Sequence, residues 1–214
     1  MDIKKLYACG WCEIASDASK DLSGQLLEIG WRLGRPVALR NSIDIVQKLV
    51  PSQESRFTNS LSAKYKDGEF PMHMDTAHWL TPCRYVVMGC SKEGERRRDT
   101  LLLDMAAISM TDDDRLLLMS EPFKIVNGRR SFYGTLLAPG RPFIRYDPGC
   151  MFPTSDRGKE AMSLFGTLVL SESRESIRWH KGKILVIDNW RVLHGRCSAE
   201  GSGSERTISR VLVA

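Results

Sequence analysis

The sequence predicts a mainly β fold with flanking helices, for which a jelly roll is the natural candidate. Three observations carry this reading. Short apolar runs of strand length, such as "RYVVMGC" (84–90) and "TLLLDM" (100–105), recur from Phe57 onward. Helical periodicity is confined to the opening part of the chain and to a segment near 156–170. A length of 214 residues suits one domain with a sizeable core. Short strands with helices leading in and inserted between them build a β-sandwich or barrel with helical support.

Taken in order, the chain opens on a short strand expected around Leu6 to Ile14. In "SKDLSGQLLEIGWRLGR", Leu22, Leu26, Ile29 and Leu33 fall at helical spacing, so an amphipathic helix is expected that stops near Gly34. "PVAL" reads as a strand, and "SIDIVQKLVP" as a short helix started by Ser42 and stopped by Pro51. Residues 1–56 are thus expected as a helical lead-in, and 57–214 as the jelly-roll core of the same single domain. Within the core, "RYVVMGC" and "TLLLDM" flank "KEGERRRD" (92–99), which reads as a solvated hairpin loop, and "PFIRYD" (142–147) is another alternating run. "DRGKEAMSLFGTLVL" carries the helix near 156–170. The end of the chain, "GKILVIDNWRVLHGR" and "RTISRVLVA", reads as two strands separated by the Gly/Ser loop "GSGSE".

Composition excludes several function classes. Hydrophobic residues at 42% and charged residues at 27% describe an ordinary globular chain. The net charge of +5 is dispersed, and its single dense cluster, 92–99, suits a solvated loop better than a nucleic-acid patch, so no nucleic-acid partner is expected. No apolar run approaches the roughly 18 residues a membrane span needs. "MDIKKLYACGWCEIAS" lacks the apolar stretch of a secretory signal, which makes the cytoplasm the expected location; oligomeric state is unmarked. Six cysteines then read as reduced thiols. Cys9 and Cys12 form "CGWC", a spacing shared by redox pairs and half zinc sites, but no second C-x-x-C accompanies it and no βαβ pattern surrounds it. Structural or incidental thiols are the simpler reading.

The stretch "FPMHMDTAHW" (70–79) holds the densest ligand chemistry. In a strand His73 and Asp75 share a face, Met72, Met74 and Thr76 point the other way, and His78 has the opposite parity. An H-x-D triplet is by itself a weak signal, since a hydrogen-bonded or surface histidine explains it equally well. Its weight comes from "IDNWRVLHGR", where His194 lies on a distant apolar strand, followed by Arg206 and Arg210 on the closing strand. Two histidines and one carboxylate on one face of an iron leave positions open for a cosubstrate and oxygen.

Four pieces, "FPMHMDTAHW", "DTLLLD", "IDNWRVLHGR" and "RTISR", together resemble the Fe(II)- and 2-oxoglutarate-dependent oxygenases of the taurine dioxygenase (TauD/TfdA) type, including the clavaminate synthase-like members, over roughly residues 57–214. The resemblance implies a double-stranded β-helix (jelly roll, cupin-like) core with His73, Asp75 and His194 as iron ligands. It implies that Arg206 pairs with the distal carboxylate of 2-oxoglutarate through a planar, charge-assisted fork, with Thr100 as hydroxyl donor to the same carboxylate. Arg210 resembles a second arginine that in some members contacts an anionic substrate. The implied cofactor is Fe(II), with 2-oxoglutarate and O2 as cosubstrates, succinate and CO2 as products, and no catalytic group beyond the metal ligands. Hydroxylation is the expected outcome, although desaturation and cyclisation share its chemistry. The presence of Asp75 separates this site from halogenating relatives.

Substrate determinants are faintly marked. Asn59, Ser60 and Ser62 precede the first ligand, and Arg145 and Asp147 lie in "IRYD"; all could reach the mouth of a site that takes an amino acid or another small carboxylated metabolite. The chain is short for the family, which fits an open site or a substrate carried on a larger partner. Two further readings stay open: an oxygenase acting on nucleic acid or another macromolecule, and a non-catalytic or different-metal β-sandwich whose histidines are structural. His78 and Trp79 read as wall or packing residues.

Overall fold

The structure is a computed structural model in which residues 1–39, 43–49, 65, 68–140 and 142–214 are described. Helix α1 (Ile3–Cys9) leads to β1 (Trp11–Ala15), α2 (Leu22–Leu33), β2 (Pro36–Val37) and β3 (Gln47–Leu49). Then follow β4 (Phe70–His73), β5 (Tyr85–Lys92), β6 (Thr100–Asp104), α3 (Asp112–Ser120), β7 (Phe123–Asn127), β8 (Arg130–Gly134) and β9 (Met151–Pro153). The chain closes with α4 (Asp156–Ser171), β10 (Glu175–Ile177), β11 (Lys183–Asp188), β12 (Val192–Arg196) and β13 (Thr207–Val213).

Among the described residues the larger sheet runs β1-β11-β5-β13-β2, with β3 also on β13, and the smaller runs β10-β6-β12-β4. Strands that follow one another in sequence fall in opposite sheets: β5 and β6, then β11, β12 and β13, alternate between the two. That alternation makes the jelly roll. Met88, Cys90, Leu185, Ile187 and Leu212 of the larger sheet meet Leu102, Ile177 and Val192 from the smaller side in one apolar cluster. The other face of the larger sheet, with Val87, Val186 and Val211, is covered by Leu26 of α2 and Leu6 of α1. Both faces of β5 and β11 are therefore buried, which is why they read as continuous apolar runs rather than alternating ones. A second layer packs Met72, Met74, Leu103 and Leu193 against Phe123, Ile125 and Met151 of the three-stranded sheet β8-β7-β9 and Phe165 of α4.

Several expectations are corrected. The strand expected at Leu6 to Ile14 begins only at Trp11, because Asp2 caps α1 through Lys5 N (3.0 Å) and Gly10 ends it at φ 84°. "CGWC" is the junction between α1 and β1; all six thiols are unbridged. The helix expected in "SIDIVQKLVP" is replaced over 47–49 by β3, which pairs with β13; ladder bonding to a buried neighbour overrides local propensity. Ser42 and Pro51, its expected boundaries, lie outside the described residues, as does the expected start of the core at Phe57. Residues 92–99 do not form a hairpin, since β5 and β6 belong to different sheets, and Arg98 and Asp99 are buried where the segment crosses between them. "PFIRYD" forms no ladder strand: Ile144 makes an isolated bridge to Leu137. The last segment holds three strands rather than two, because a turn at Asp188–Arg191 carries the chain from one sheet to the other. The lead-in is also partly β, since β1, β2 and β3 extend the larger sheet.

Among the described residues no helix is long and apolar enough to cross a membrane. Leu26 is fully buried against Gly89, where a Cβ would come within 2.9 Å of the leucine. Leu26→Ala is expected to cost about 2–5 kcal/mol through the cavity it leaves under α2, read as a lower urea midpoint with an unchanged slope.

Candidate metal centre

β4 ends at His73, directly opposite His194 of β12 in the antiparallel register. Opposed residues on neighbouring strands share a face. Their rings accordingly lie 4.5 Å apart between centroids. This close approach needs Gly195, where a Cβ would meet Phe70 O at 2.8 Å and Met72 N at 3.3 Å. Pro71 O sits 3.0 Å from His73 Nδ1, an arrangement that puts the proton on that nitrogen and leaves the Nε2 lone pair for the site.

Asp75 lies beyond the end of β4, so its position is set by the turn and not by strand parity. Tyr146 O accepts from Met74 N at 2.8 Å. Asn189, fully buried, accepts from Asp75 N (2.8 Å) and donates to Asp75 O (3.0 Å) and Cys83 O (2.7 Å). Thr76 adopts φ 57°, a left-handed conformation unfavourable for a β-branched residue. Its hydroxyl compensates by donating to Asp75 O (2.7 Å) and accepting from Cys83 N (2.8 Å). The strained turn brings the Asp75 carboxylate to 3.9 Å from His73 Nε2 and 3.6 Å from His194 Nε2. One ligand atom from each of the three buried residues lies within 4.8 Å of the others.

Electrostatics suit a cation at this point. Burial pushes the Asp75 carboxyl up, but Arg210 and then His194 outweigh it and hold the group well below the usual carboxylate range. Arg210 Nη1 donates to both Asp75 oxygens, at 2.9 and 2.7 Å. Burial, followed by the neighbouring His194, pushes His73 down, keeping its imidazole in the neutral form that ligates metals. Two imidazoles and one fixed carboxylate, with a buried His194 Nδ1 that meets no partner among the described residues, make a donor set that fits a divalent transition metal.

Thr100 opens β6, Arg206 stands just before β13 rather than on the closing strand, and Trp179 lies between them. The indole Nε1 donates to Thr100 Oγ1 at 2.8 Å, leaving the hydroxyl proton available, while the Arg206 guanidinium lies 5.9 Å from the Trp179 ring. Arg206 is buried, its Nη1 meets no acceptor among the described residues, and burial with the charges of Arg196 and Arg98 lowers its pKa to about 10. Trp179 escaped the sequence reading, as did Asn189: neither carries a ligand pattern, and only proximity gives them a role.

The remaining candidates separate clearly. Arg145 donates to the carbonyls of Ala77, Trp79 (2.6 Å) and Leu80 (2.9 Å), so it clamps the turn after Asp75 instead of lining the mouth. Asp147 is buried near the histidines, and its carboxylate accepts from Gly149 N at 2.7 Å. His78 is outside the three-residue cluster and sits edge-on to Trp79 at 6.3 Å. Asn59, Ser60 and Ser62 lie outside the described residues.

Residues 119–212 match the family model described as taurine catabolism dioxygenase TauD, TfdA family. Clavaminate synthase 2 of Streptomyces clavuligerus is 25% identical over 173 residues, 72% of this chain and 52% of that protein. The chain thus spans about half the length of that curated relative. The fold is similar to that of asparagine oxygenase in complex with Fe(II), 3-hydroxyasparagine and succinate, at TM-score 0.77 and 17% identity over 99% of this chain and 77% of that one. It is equally similar to the non-heme iron oxygenase OrfP in complex with Fe, succinate and (3S)-hydroxy-L-Arg, at TM-score 0.77 and 19% identity over 100% and 78%. These likenesses establish the jelly-roll fold.

Asn189→Ala leaves buried partners on Asp75 and Cys83 unsatisfied, and is expected to lower stability by about 1–3 kcal/mol, read by chemical denaturation.

Proposed function

We propose, for a chain whose residues 119–212 match the TauD/TfdA family, an Fe(II)- and 2-oxoglutarate-dependent dioxygenase. It hydroxylates a small polar metabolite, such as an amino acid or related carboxylate, with release of succinate and CO2. The observation that carries this reading is the buried His73, Asp75 and His194 cluster at the junction of β4 and β12. The family match and the complexes of similar folds with iron, succinate and hydroxylated amino acids support it. Six unbridged thiols suit a reducing compartment, which supports a cytoplasmic location.

His73 and His194 would hold the metal through Nε2 and Asp75 through one carboxylate oxygen. Bound there, Fe(II) supplies the dioxygen chemistry that couples decarboxylation of 2-oxoglutarate to oxidation of the substrate. The protein's part is orientation. Arg206 and Thr100 take the distal carboxylate of 2-oxoglutarate; the unmet Nη1 of Arg206 and the free hydroxyl proton of Thr100 support those roles. Trp179 keeps both side chains in place. Met72 and Met74, buried behind the ligands, and the clamped 77–80 turn keep water from that side of the site. Asp147 remains a candidate substrate contact, from its burial beside His73.

Anaerobic addition of Fe(II) and 2-oxoglutarate is expected to produce a visible charge-transfer band that Asp75→Ala abolishes; no band in the wild-type protein would sink the reading. Arg206→Gln is expected to weaken 2-oxoglutarate binding about tenfold or more, from loss of a charge-assisted pair worth about 1.5–3 kcal/mol, measured by calorimetry on the metal-loaded protein. His78→Ala is expected to leave Fe(II) binding within about twofold of wild type, because the histidine stands outside the cluster; loss of the metal in that variant would reassign the ligand.

A further inference from the structure

The β8-β7-β9 sheet buries one face and leaves the other open. Phe123, Ile125 and Met151 point into the core, while Lys124 stands on the outer face between Tyr133 of β8 and Phe152 of β9, each in register with it. Residues opposed across a ladder share a face, so the three side chains form one row. Tyr133 is 70% exposed and Phe152 49%, which leaves two aromatic rings on strands two spacings, or roughly 10 Å, apart with a cation between them. Arg129 and Arg130 are exposed at the hairpin end of the same ribbon, and no ion pair among the described residues engages any of these three cations. Glu121, just before β7, is already held by Ser155 Oγ at 2.8 Å and faces Arg157 at 3.5 Å. Exposed aromatic rings beside an unmet positive charge are what binders of single-stranded nucleic acid present: base faces stack on the rings and phosphate meets the cation. A second copy of the chain fits less well, because a twofold contact would set the lysine and arginines of the ribbon against their own copies.

We infer that the outer face of β8-β7-β9 binds single-stranded nucleic acid, with one base on each of Tyr133 and Phe152 and the phosphate between them on Lys124. Arg129 and Arg130 extend the charged track past the hairpin end. Stacking and phosphate contacts read no base edge, so the affinity is tolerant of sequence and steep in salt. Oxygenase chemistry is not required for this binding, since no residue of the metal centre stands on the ribbon. Composition alone predicts no such partner, because the residues concerned lie at 124, 129–130, 133 and 152, and only the ladder gathers them.

Fluorescence anisotropy of the full chain with labelled oligo(dT) and oligo(U), each of about twelve nucleotides, tests this at low salt. Saturable binding of at least one probe is expected, and the tighter of the two identifies DNA or RNA as the source. Tyr133→Ala and Phe152→Ala are each expected to weaken binding about fivefold or more, while Tyr133→Phe, which keeps the ring, stays within about twofold. Lys124→Gln is expected to lower the salt slope by about 0.7, whereas Lys4→Gln, which removes the same charge from α1 on the far side of the molecule, leaves the slope unchanged. An unchanged thermal midpoint in each variant shows that the fold is kept. No saturable binding of either probe by the wild-type protein overturns the inference, and so does affinity that both alanine variants retain. Equal binding of an abasic strand of the same length, or of poly-L-glutamate, also overturns it, by making the ribbon a site for acidic chains in general. An assembly of copies that sedimentation detects and Tyr133→Ala dissociates would overturn it in favour of a contact between protomers.

Discussion

A carboxylate held ionised inside the protein is the constraint on which the rest of this site depends. Asp75 sits between two imidazoles with little access to water, where a lone charge is expensive. Removing one partner of a buried ion pair typically costs about 3–5 kcal/mol, because the other charge is left uncompensated. Here the compensation comes from Arg210, whose guanidinium touches both carboxylate oxygens. The pair fixes the direction in which the carboxylate faces the histidines, and it ties the turn after β4 to the closing strand β13.

The fold supplies the other half of the arrangement. β12 and β4 are neighbours in the smaller sheet, so His194 arrives opposite His73 by register alone. Arg210 arrives on β13 of the larger sheet, across the space between the layers, and Arg206 stands just before that strand. A jelly roll alternates its strands between two sheets, and residues distant in sequence are therefore brought to one cavity from both sides. Small residues matter where this approach is tight. Gly195 leaves room for β4 beside His194, and a side chain there would push against the backbone of Phe70 and Met72.

How much of this could be read in advance depended on whether a signal was local. Helix α2 was legible from the spacing of Leu22, Leu26, Ile29 and Leu33, and α4 from its long periodic run, because a helix buries one stripe whatever its partner. β3 was not legible. Its neighbourhood, "SIDIVQKLVP", suits a short helix as well as a strand, and pairing with β13 decided between them over 47–49. The crossing at 92–99 was misread for the same reason, since a charged segment between apolar runs looks alike whether its flanking strands share a sheet or face each other. In the site, His78 stands apart from the cluster, but the turn at Thr76 and not strand parity separates it. Arg145 looked like a candidate for the mouth and became a clamp on three carbonyls, a role that no side-chain pattern records.

The sequence by itself determined the fold class, and it marked His73, Asp75 and His194 as candidate ligands, with Arg206 and Thr100 added by the family resemblance. Tertiary structure alone decided that Arg210 bridges Asp75 and Gln47, that Asn189 holds the turn at Asp75, and that Trp179 bonds to Thr100. The physical reason is separation along the chain. A ligand type is a property of one residue, whereas the hydrogen bonds between Gln47, Asp75 and Arg210 span most of the sequence and exist only when two sheets have closed around them.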